Sequence, residues 1–123
     1  MAHELNIAGW YAPSINIRRS EFGGRNFEYF SEDPLLTGSL ASGQVLGAAQ
    51  YGVYAFTKYF ALNEQETQRN GQLTTWSNEQ AIREIYLKPF ETVIKANLNA
   101  GVNSMAIMGA TILAILMPVL PCR

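Results

Sequence analysis

The amino-acid sequence predicts an α/β fold in which parallel strands are joined by helical crossovers. Three segments have the apolar, β-branched and aromatic character of buried strands, at 9–17, 51–62 and 101–109. A helical pattern separates each of these segments from the next, and such alternation is typical of parallel strands with right-handed connections. Because ligands in these folds bind at loops that follow the carboxyl ends of strands, the order also predicts where a site would lie.

The composition sets the broad class of protein. The chain has 123 residues, 48% of them hydrophobic and 15% charged, with a formal net charge of −1. These values are typical of one globular domain or a piece of a larger one, and they give no indication of a nucleic-acid partner. Cys122 is the single cysteine, so the sequence predicts no disulfide framework and no cysteine-rich metal site. A reducing compartment is compatible with that, and we expect a cytoplasmic protein without metal or cofactor.

The first strand candidate, 9–17, is followed by a polar loop that is rich in aromatic side chains. Pro13 marks an irregular point in this strand because proline lacks a backbone N–H. The loop contains GGRNFEYFSEDP at 23–34, where one arginine lies between a glycine pair and an acidic aromatic stretch. The glycines allow a sharp turn that would aim Arg25.

A helix is predicted after this loop. Asp33 is in position to cap it, and Pro34 suits the first helical position. Residues at three- and four-residue spacing fall on one face of this helix, and the glycines among them allow a neighbouring element to approach closely. These residues are Leu36, Leu40, Gly43 and Gly47.

The longest helix is predicted over 77–97, after the second strand and a polar loop at 63–76. Ser77 and Gln80 form a capping-box pattern at its start. Pro89 should kink the helix. An apolar stripe is predicted at helical spacing from Ile82, Ile85, Tyr86, Phe90, Val93 and Ile94.

Three cationic side chains occupy the predicted strand ends: Arg25, Lys58 and Arg69. Each has a structural alternative. Arg25 can pair with Glu28 or Glu32 in its own loop, Lys58 can extend to solvent from a strand end, and Arg69 can be a solvated loop charge. Spacing alone favours these structural roles.

Taken together, the same cations suggest a polar pocket with donors that point inward. Aromatic walls would come from Phe27, Tyr59 or Trp76. Guanidinium and ammonium donors suit a ligand with many hydroxyls, since each hydroxyl accepts as well as donates hydrogen bonds.

Three separate segments carry a resemblance to a known family: GWYAPSINIRRSEFGGRNFEYFSEDP, TKYFALNEQETQRNG and SNEQAIREIYLKPFE. Together they resemble the N-terminal barrel domain of glycoside hydrolase family 3, especially its bacterial β-glucosidases, from Gly9 to Ala96. The resemblance implies a partial (β/α)8 TIM-type barrel of two βα units and a further strand. On this basis 1–104 is a fragment of that barrel domain and 105–123 is a divergent apolar tail.

The resemblance also implies an activity and a set of substrate-binding residues. The family's retaining β-glucosidases hydrolyse terminal β-D-glucosyl residues of a β-glucoside or oligosaccharide substrate, without a cofactor. The positions that match the family's sugar ligands are Arg25, Lys58, Tyr59 and Arg69. Tyr59 stands where the family usually has histidine, so a longer phenol would replace an imidazole.

No catalytic residue is assigned within this chain. Asp33 is the single aspartate, and it matches the family's loop-to-helix junction rather than its nucleophile. Glu64 and Glu66 are an alternative catalytic pair, but the resemblance places them in a loop where a structural role is expected. We therefore expect the chain by itself to be inactive, and the alternative function is that of a non-catalytic sugar-binding protein or of a small membrane-associated protein anchored by its tail.

The tail, residues 105–123, does not follow the family's sequence pattern. A truncated or frameshifted gene would encode such a tail. The segment 105–120 carries no charge, but it is shorter than the ~20 residues that a membrane-spanning helix prefers. A buried strand followed by an apolar helix is favoured over a membrane anchor. An open partial barrel would also leave strand edges through which the chain is expected to self-associate.

Overall fold

The computed structural model describes residues 4–69, 73–101, 105–109 and 114–115. The strands are β1 Gly9–Trp10, β2 Tyr54–Phe60, β3 Thr74–Thr75, β4 Met105–Gly109 and β5 Ala114–Ile115. The helices are α1 Pro34–Ala49, α2 Glu79–Ala81 and α3 Lys88–Asn99, with a 3₁₀ turn at Asn26–Glu28 and π-helical turns at Ile82–Tyr86.

The described strands are parallel, which confirms the predicted α/β class. They form a three-stranded sheet in the order β1-β2-β4 and a separate pair, β3-β5. Helix α1 connects β1 to β2, and α3 precedes β4, so helices link parallel neighbours as the sequence predicts. The short strand β3 was not predicted, because two threonines within a polar loop give no strand pattern of their own.

The first strand is shorter than the predicted segment 9–17. Regular pairing with β2 stops after Trp10, and the Ala12–Pro13 peptide bond is cis. The chain then continues alongside β2, because Ile15 N donates to the Lys58 carbonyl at 2.6 Å and Lys58 N donates to the Pro13 carbonyl at 2.9 Å. The predicted irregularity at Pro13 is therefore present, followed by a buried extended segment.

Helix α1 begins as predicted. The Asp33 carboxylate accepts from Leu35 N at 2.7 Å and from Leu36 N at 3.2 Å, with Pro34 in the first turn. These contacts satisfy backbone donors that have no partner inside the helix.

The predicted packing face of α1 is wrong. Leu36, Leu40 and Gly43 are exposed. The buried face consists mainly of small side chains: Thr37, Gly38, Ala41, Ser42 and Val45. Because these residues are small, α1 can approach α3 closely, and the leucines turn outward.

The predicted long helix is divided into two parts. Asn78 caps it in place of Ser77, since the Asn78 Oδ1 accepts from Ala81 N at 2.8 Å. The chain then widens into π-helical turns, in which Leu87 N donates to the Ile82 carbonyl at 2.8 Å. Helix α3 starts again at Lys88 with Pro89 in its first turn, where the missing N–H costs least.

The core lies between the sheet and the helices α1 and α3. It consists of Ile15, Ala41, Val45, Ala55, Ala61, Phe90 and Val93. Phe90 packs edge-on against Phe60 of β2, with ring centroids 4.9 Å apart. Within the described ranges, no helix is long and apolar enough to cross a membrane. Most of the apolar tail lies outside the described residues, apart from β4 and β5.

Candidate functional site

Arg25 belongs to the first loop, which connects β1 to α1, and it immediately precedes the 3₁₀ turn. The residue is only 3% exposed to solvent. Its guanidinium lies 4.1 Å from the centroid of the Tyr59 ring. It forms ion pairs with Glu66, through Nε, and with Glu28, whose Oε1 is 3.8 Å from Nη1. The buried charge is therefore compensated by two carboxylates and an aromatic face.

Lys58 lies near the carboxyl end of β2, and the Lys58–Tyr59 peptide bond is cis. Its ammonium is 3.3 Å from Glu28 Oε2 and 3.1 Å from Tyr59 Oη. Burial lowers the pKa of Lys58, but the hydrogen bond with Tyr59 and the Glu28 carboxylate together raise that pKa above its ordinary value. Lys58 is therefore a charged donor at neutral pH.

Glu28 links the two cations. Its Oε2 accepts from Ser14 Oγ at 2.7 Å as well as from Lys58, and its Oε1 faces Arg25. The sequence indicated Glu28 only as a local partner of Arg25. Its contacts with Ser14 and Lys58 connect three parts of the chain, and this was not predicted.

Arg69 lies at the exposed edge of the same group of side chains. Its Nη1 is 3.3 Å from Glu66 Oε1, and Glu66 also pairs with Arg25. The side chain of Arg69 is about half exposed. The four predicted residues are thus brought together: Arg25 and Lys58 both contact Tyr59 and share Glu28, and Arg69 is connected to Arg25 through Glu66. We call these four side chains the cation cluster.

The sequence also suggested purely structural roles for the cations, and the structure shows some of these roles but not others. Arg25 pairs with Glu28 and Glu66, whereas Glu32 lies on the exposed side of the loop and is not an ion-pair partner of Arg25 among the described contacts. Lys58 is mostly buried rather than extended into solvent. Ion pairing and ligand binding are compatible here, because each cation carries several N–H donors.

Buried polar groups hold the cluster in place. The Asn16 side-chain oxygen accepts from Tyr59 N at 2.8 Å, and Asn16 is buried. Tyr29 donates its hydroxyl to the Asn63 carbonyl at 3.0 Å, which ties the first loop to the second. Burial raises the pKa of Tyr29 far above its ordinary value, so its phenol remains neutral and keeps this hydrogen bond.

The carboxylates of the second loop have ion-pair partners. Glu64 Oε1 is 2.9 Å from Arg19 Nη1, and Glu66 pairs with Arg25 and Arg69. These contacts give both glutamates a structural role. In the described part of the chain, no group of three or more histidine, cysteine or carboxylate side chains could hold a metal ion.

A cavity of about 290 Å³ lies beside the cation cluster, between the first loop and the second. Glu64, Glu66 and Trp76 line it, but none of the four cluster side chains does. Of the predicted aromatic walls, Tyr59 contacts the cations, Trp76 faces this separate cavity, and Phe27 is largely exposed.

Parallel strands with helical crossovers, and polar side chains gathered after their carboxyl ends, are the arrangement found in TIM-type α/β barrel domains. The sequence profile of the glycosyl hydrolase family 3 N-terminal domain matches residues 1–113. The chain belongs to this family.

Relatives and solved structures agree with this assignment. Beta-glucosidase A of Butyrivibrio fibrisolvens is 48% identical over 94 residues, which cover 76% of this chain. A beta-glucosidase structure from Kluyveromyces marxianus in complex with glucose superposes with a TM-score of 0.82 at 37% identity, over 93% of this chain. Beta-glucosidase 3B from Thermotoga neapolitana in complex with glucose gives 0.74 at 38% identity, over 88% of this chain.

The chain spans only a small part of each of these proteins. The matched region is 11% of the Butyrivibrio enzyme, 13% of the Kluyveromyces chain and 15% of the Thermotoga chain. The comparisons show the family and the fold of this chain.

Proposed function

We propose that this chain supplies part of the sugar-binding subsite of a β-glucosidase that acts on terminal β-D-glucosyl residues. The observation that carries the proposal is the cation cluster, in which Arg25 and Lys58 both contact Tyr59 beside the end of β2. Glucose-bound relatives of the same fold support a pyranose as the ligand.

The cluster's chemistry suits hydroxyl groups. Arg25 offers a planar set of N–H donors, the Lys58 ammonium offers a compact charge, and the Tyr59 phenol both donates and accepts. Their ion pairs with Glu28 and Glu66 fix these donors before a sugar arrives, which reduces the entropy lost on binding.

Hydrolysis with retention of configuration needs two carboxyl groups about 5–5.5 Å apart, one of which attacks the anomeric carbon. Asp33 is occupied as the cap of α1, while Glu64 and Glu66 are in ion pairs. The proposal therefore assigns sugar binding to this chain and the nucleophile to a residue that the chain does not contain.

Binding can be tested with methyl β-D-glucoside, followed by ligand-observed NMR. We expect Lys58→Met to weaken binding by about 10- to 100-fold, because a hydrogen bond to a charged group contributes ~1.5–3 kcal/mol. Lys95→Met on the exposed face of α3 is the matched control and should bind as the parent chain does. Equal affinity of both variants would contradict the assigned site.

Turnover can be tested with a chromogenic aryl β-glucoside. We expect no release of the chromophore by this chain alone. Release that is lost in Glu64→Gln or Glu66→Gln would show that a catalytic carboxylate lies within the second loop, against the proposal.

A cytoplasmic location is part of the same proposal and is tested by fractionation of the cells that express the chain.

A further inference from the structure

We propose that the Tyr59 side chain is a gate on the cation cluster: its ring covers the Arg25 guanidinium, and a ligand reaches that guanidinium only after the ring has rotated away. The inference rests on the proposed function for its class of ligand, since a sugar hydroxyl is what the uncovered guanidinium would hold. The covering of Arg25 is a property of the chain itself and can be measured without any sugar.

The Arg25 side chain is closed off from solvent in this structure. Only 4% of the side chain is exposed, and it does not line the cavity between the two loops. Its Nη1 is buried 3.8 Å from Glu28 Oε1, too far for a hydrogen bond, and has no hydrogen-bond partner among the described residues. This nitrogen is therefore a free donor that a ligand can reach only after a conformational change.

The Tyr59 ring covers both buried cations of the cluster. The ring centroid lies 4.1 Å from the central guanidinium carbon of Arg25, a direct contact that leaves no room for another group between them. The Tyr59 hydroxyl also accepts from Lys58 Nζ at 3.1 Å, and only 13% of the Lys58 side chain is exposed. One aromatic side chain thus shields the donors that a sugar would need.

Tyr59 is also the covering group that can leave at the smallest cost. Loss of a cation–π contact costs less than loss of a buried ion pair. The carboxylate of Glu28 is held by Ser14 and Lys58 as well as by Arg25, so its displacement would break several contacts at once. The Tyr59 side chain is only half-buried and has solvent on one side.

The backbone of Tyr59 is fixed while its ring is free to turn. Tyr59 N donates to the side-chain oxygen of Asn16 at 2.8 Å, and Asn16 is buried. Opening is therefore a rotation of the Tyr59 side chain about its own bonds, without displacement of β2.

A closed gate makes the cluster selective. A ligand binds only the fraction of molecules in which the ring has rotated, so its apparent affinity is reduced by that fraction. A hydroxyl oxygen that accepts from the uncovered Arg25 Nη1 offsets the lost ring contact. Tyr59 therefore favours ligands that reach Arg25 over ligands that contact only the outside of the cluster.

Modification of arginine by phenylglyoxal, followed by peptide mass spectrometry, tests the gate without a sugar. Arg19 in the same loop is the internal standard, so a general loosening of the loop does not count as opening. In the parent chain we expect Arg25 to react about 10-fold or more slowly than Arg19, because an open state populated at about 10% or less limits the reaction.

The variants separate the ring from the hydroxyl. We expect Tyr59→Ala to raise the rate of Arg25 relative to Arg19 by about 10-fold, whereas Tyr59→Phe keeps the ring and should leave Arg25 slow. Tyr51→Ala is the matched control, because Tyr51 is exposed and precedes β2. It should also leave Arg25 slow.

A second measurement uses the sugar. Tyr59→Phe and Tyr59→Ala both lack the phenol hydroxyl, so the difference between them isolates the ring. With methyl β-D-glucoside and ligand-observed NMR, we expect Tyr59→Ala to bind about 5- to 30-fold more tightly than Tyr59→Phe, as release from a cation–π contact predicts. Tighter binding by Tyr59→Phe would show that the ring supports the sugar, against the gate.

Two results of the modification experiment would overturn the inference: equal rates for Arg25 and Arg19 in the parent chain, or no increase in Tyr59→Ala. Glucoside binding that depends on Lys58, in a parent chain whose Arg25 reacts as fast as Arg19, would leave the proposed function standing and reject the gate. A slow Arg25 that is released in Tyr59→Ala, in a parent chain that binds no methyl β-D-glucoside, would support the covering of Arg25 and reject the proposed function.

Discussion

At the scale of single residues, one carboxylate organises much of the candidate site. Glu28 accepts from Ser14 and faces both Lys58 and Arg25. Two of these partners are far from Glu28 in the sequence, so spacing could not indicate them. The sequence identified the cations because they follow strands, but it could not show that they share a counter-ion.

Replacing this carboxylate with an amide should be costly. We expect Glu28→Gln to lower the free energy of unfolding by about 1–3 kcal/mol, since hydrogen-bonded charged groups would lose their partner. Thermal unfolding followed by circular dichroism at fixed protein concentration measures the change. Glu84→Gln, at an exposed position, is the control and should remain within about 0.5 kcal/mol. Similar losses in both variants would contradict a special role for Glu28.

At the scale of secondary-structure elements, the contact between α1 and α3 depends on a missing side chain. A Cβ at Gly38 would lie 2.8 Å from the Thr92 Cβ, whereas a Cβ at Gly43 would meet nothing within 4 Å. Both glycines occur in the same helix, so the sequence pattern alone gave no reason to prefer Gly38. Gly38 has to be a glycine because the neighbouring helix α3 places Thr92 against it.

The two glycines should respond oppositely to alanine. We expect Gly38→Ala to destabilise the protein by about 1–3 kcal/mol through overpacking. Gly43→Ala should stabilise it by about 0.5–1 kcal/mol, because alanine restricts the unfolded chain and suits a helix. Thermal unfolding of both variants tests this, and stabilisation by Gly38→Ala would refute the close contact.

Glu91 of α3 should titrate at unusually low pH. The hydrogen bond from Lys95, with that from Lys88, lowers the pKa of Glu91 from 4.5 to about 2. Because this pKa is depressed, the stabilising effect is present above about pH 4.5 in the folded chain and is lost as the pH falls towards 2. Carboxyl NMR should give a midpoint near 2 for Glu91. Lys95→Met should raise that midpoint, and an unchanged midpoint would contradict the stated cause.

At the scale of the whole molecule, one face of the sheet has no covering layer among the described residues. Ala55 faces the helical core, so its neighbours Tyr54 and Phe56 point to the opposite side, where Tyr11 joins them. Ring centroids of Tyr54 and Phe56 are 5.2 Å apart. In a closed barrel this side of the strands is filled by side chains from other strands.

The open aromatic face should promote self-association. We expect analytical ultracentrifugation to show a mass that rises with protein concentration, because exposed apolar surface and strand edges favour pairing. Tyr54→Lys should reduce the association, whereas Leu98→Lys at an exposed position on α3 should not. A monomer at every concentration would contradict this prediction.

The sequence by itself determined the fold class, the cap at Asp33 and the cations that follow strands, because these depend on local pattern and chain order. It misjudged the packing face of α1 and the cap at Ser77, since such choices depend on which neighbour lies closest. Only the tertiary structure decided that Glu28 joins Lys58 to Arg25 and that two loops enclose a cavity. Those contacts connect residues distant in sequence, and no local pattern specifies their partners.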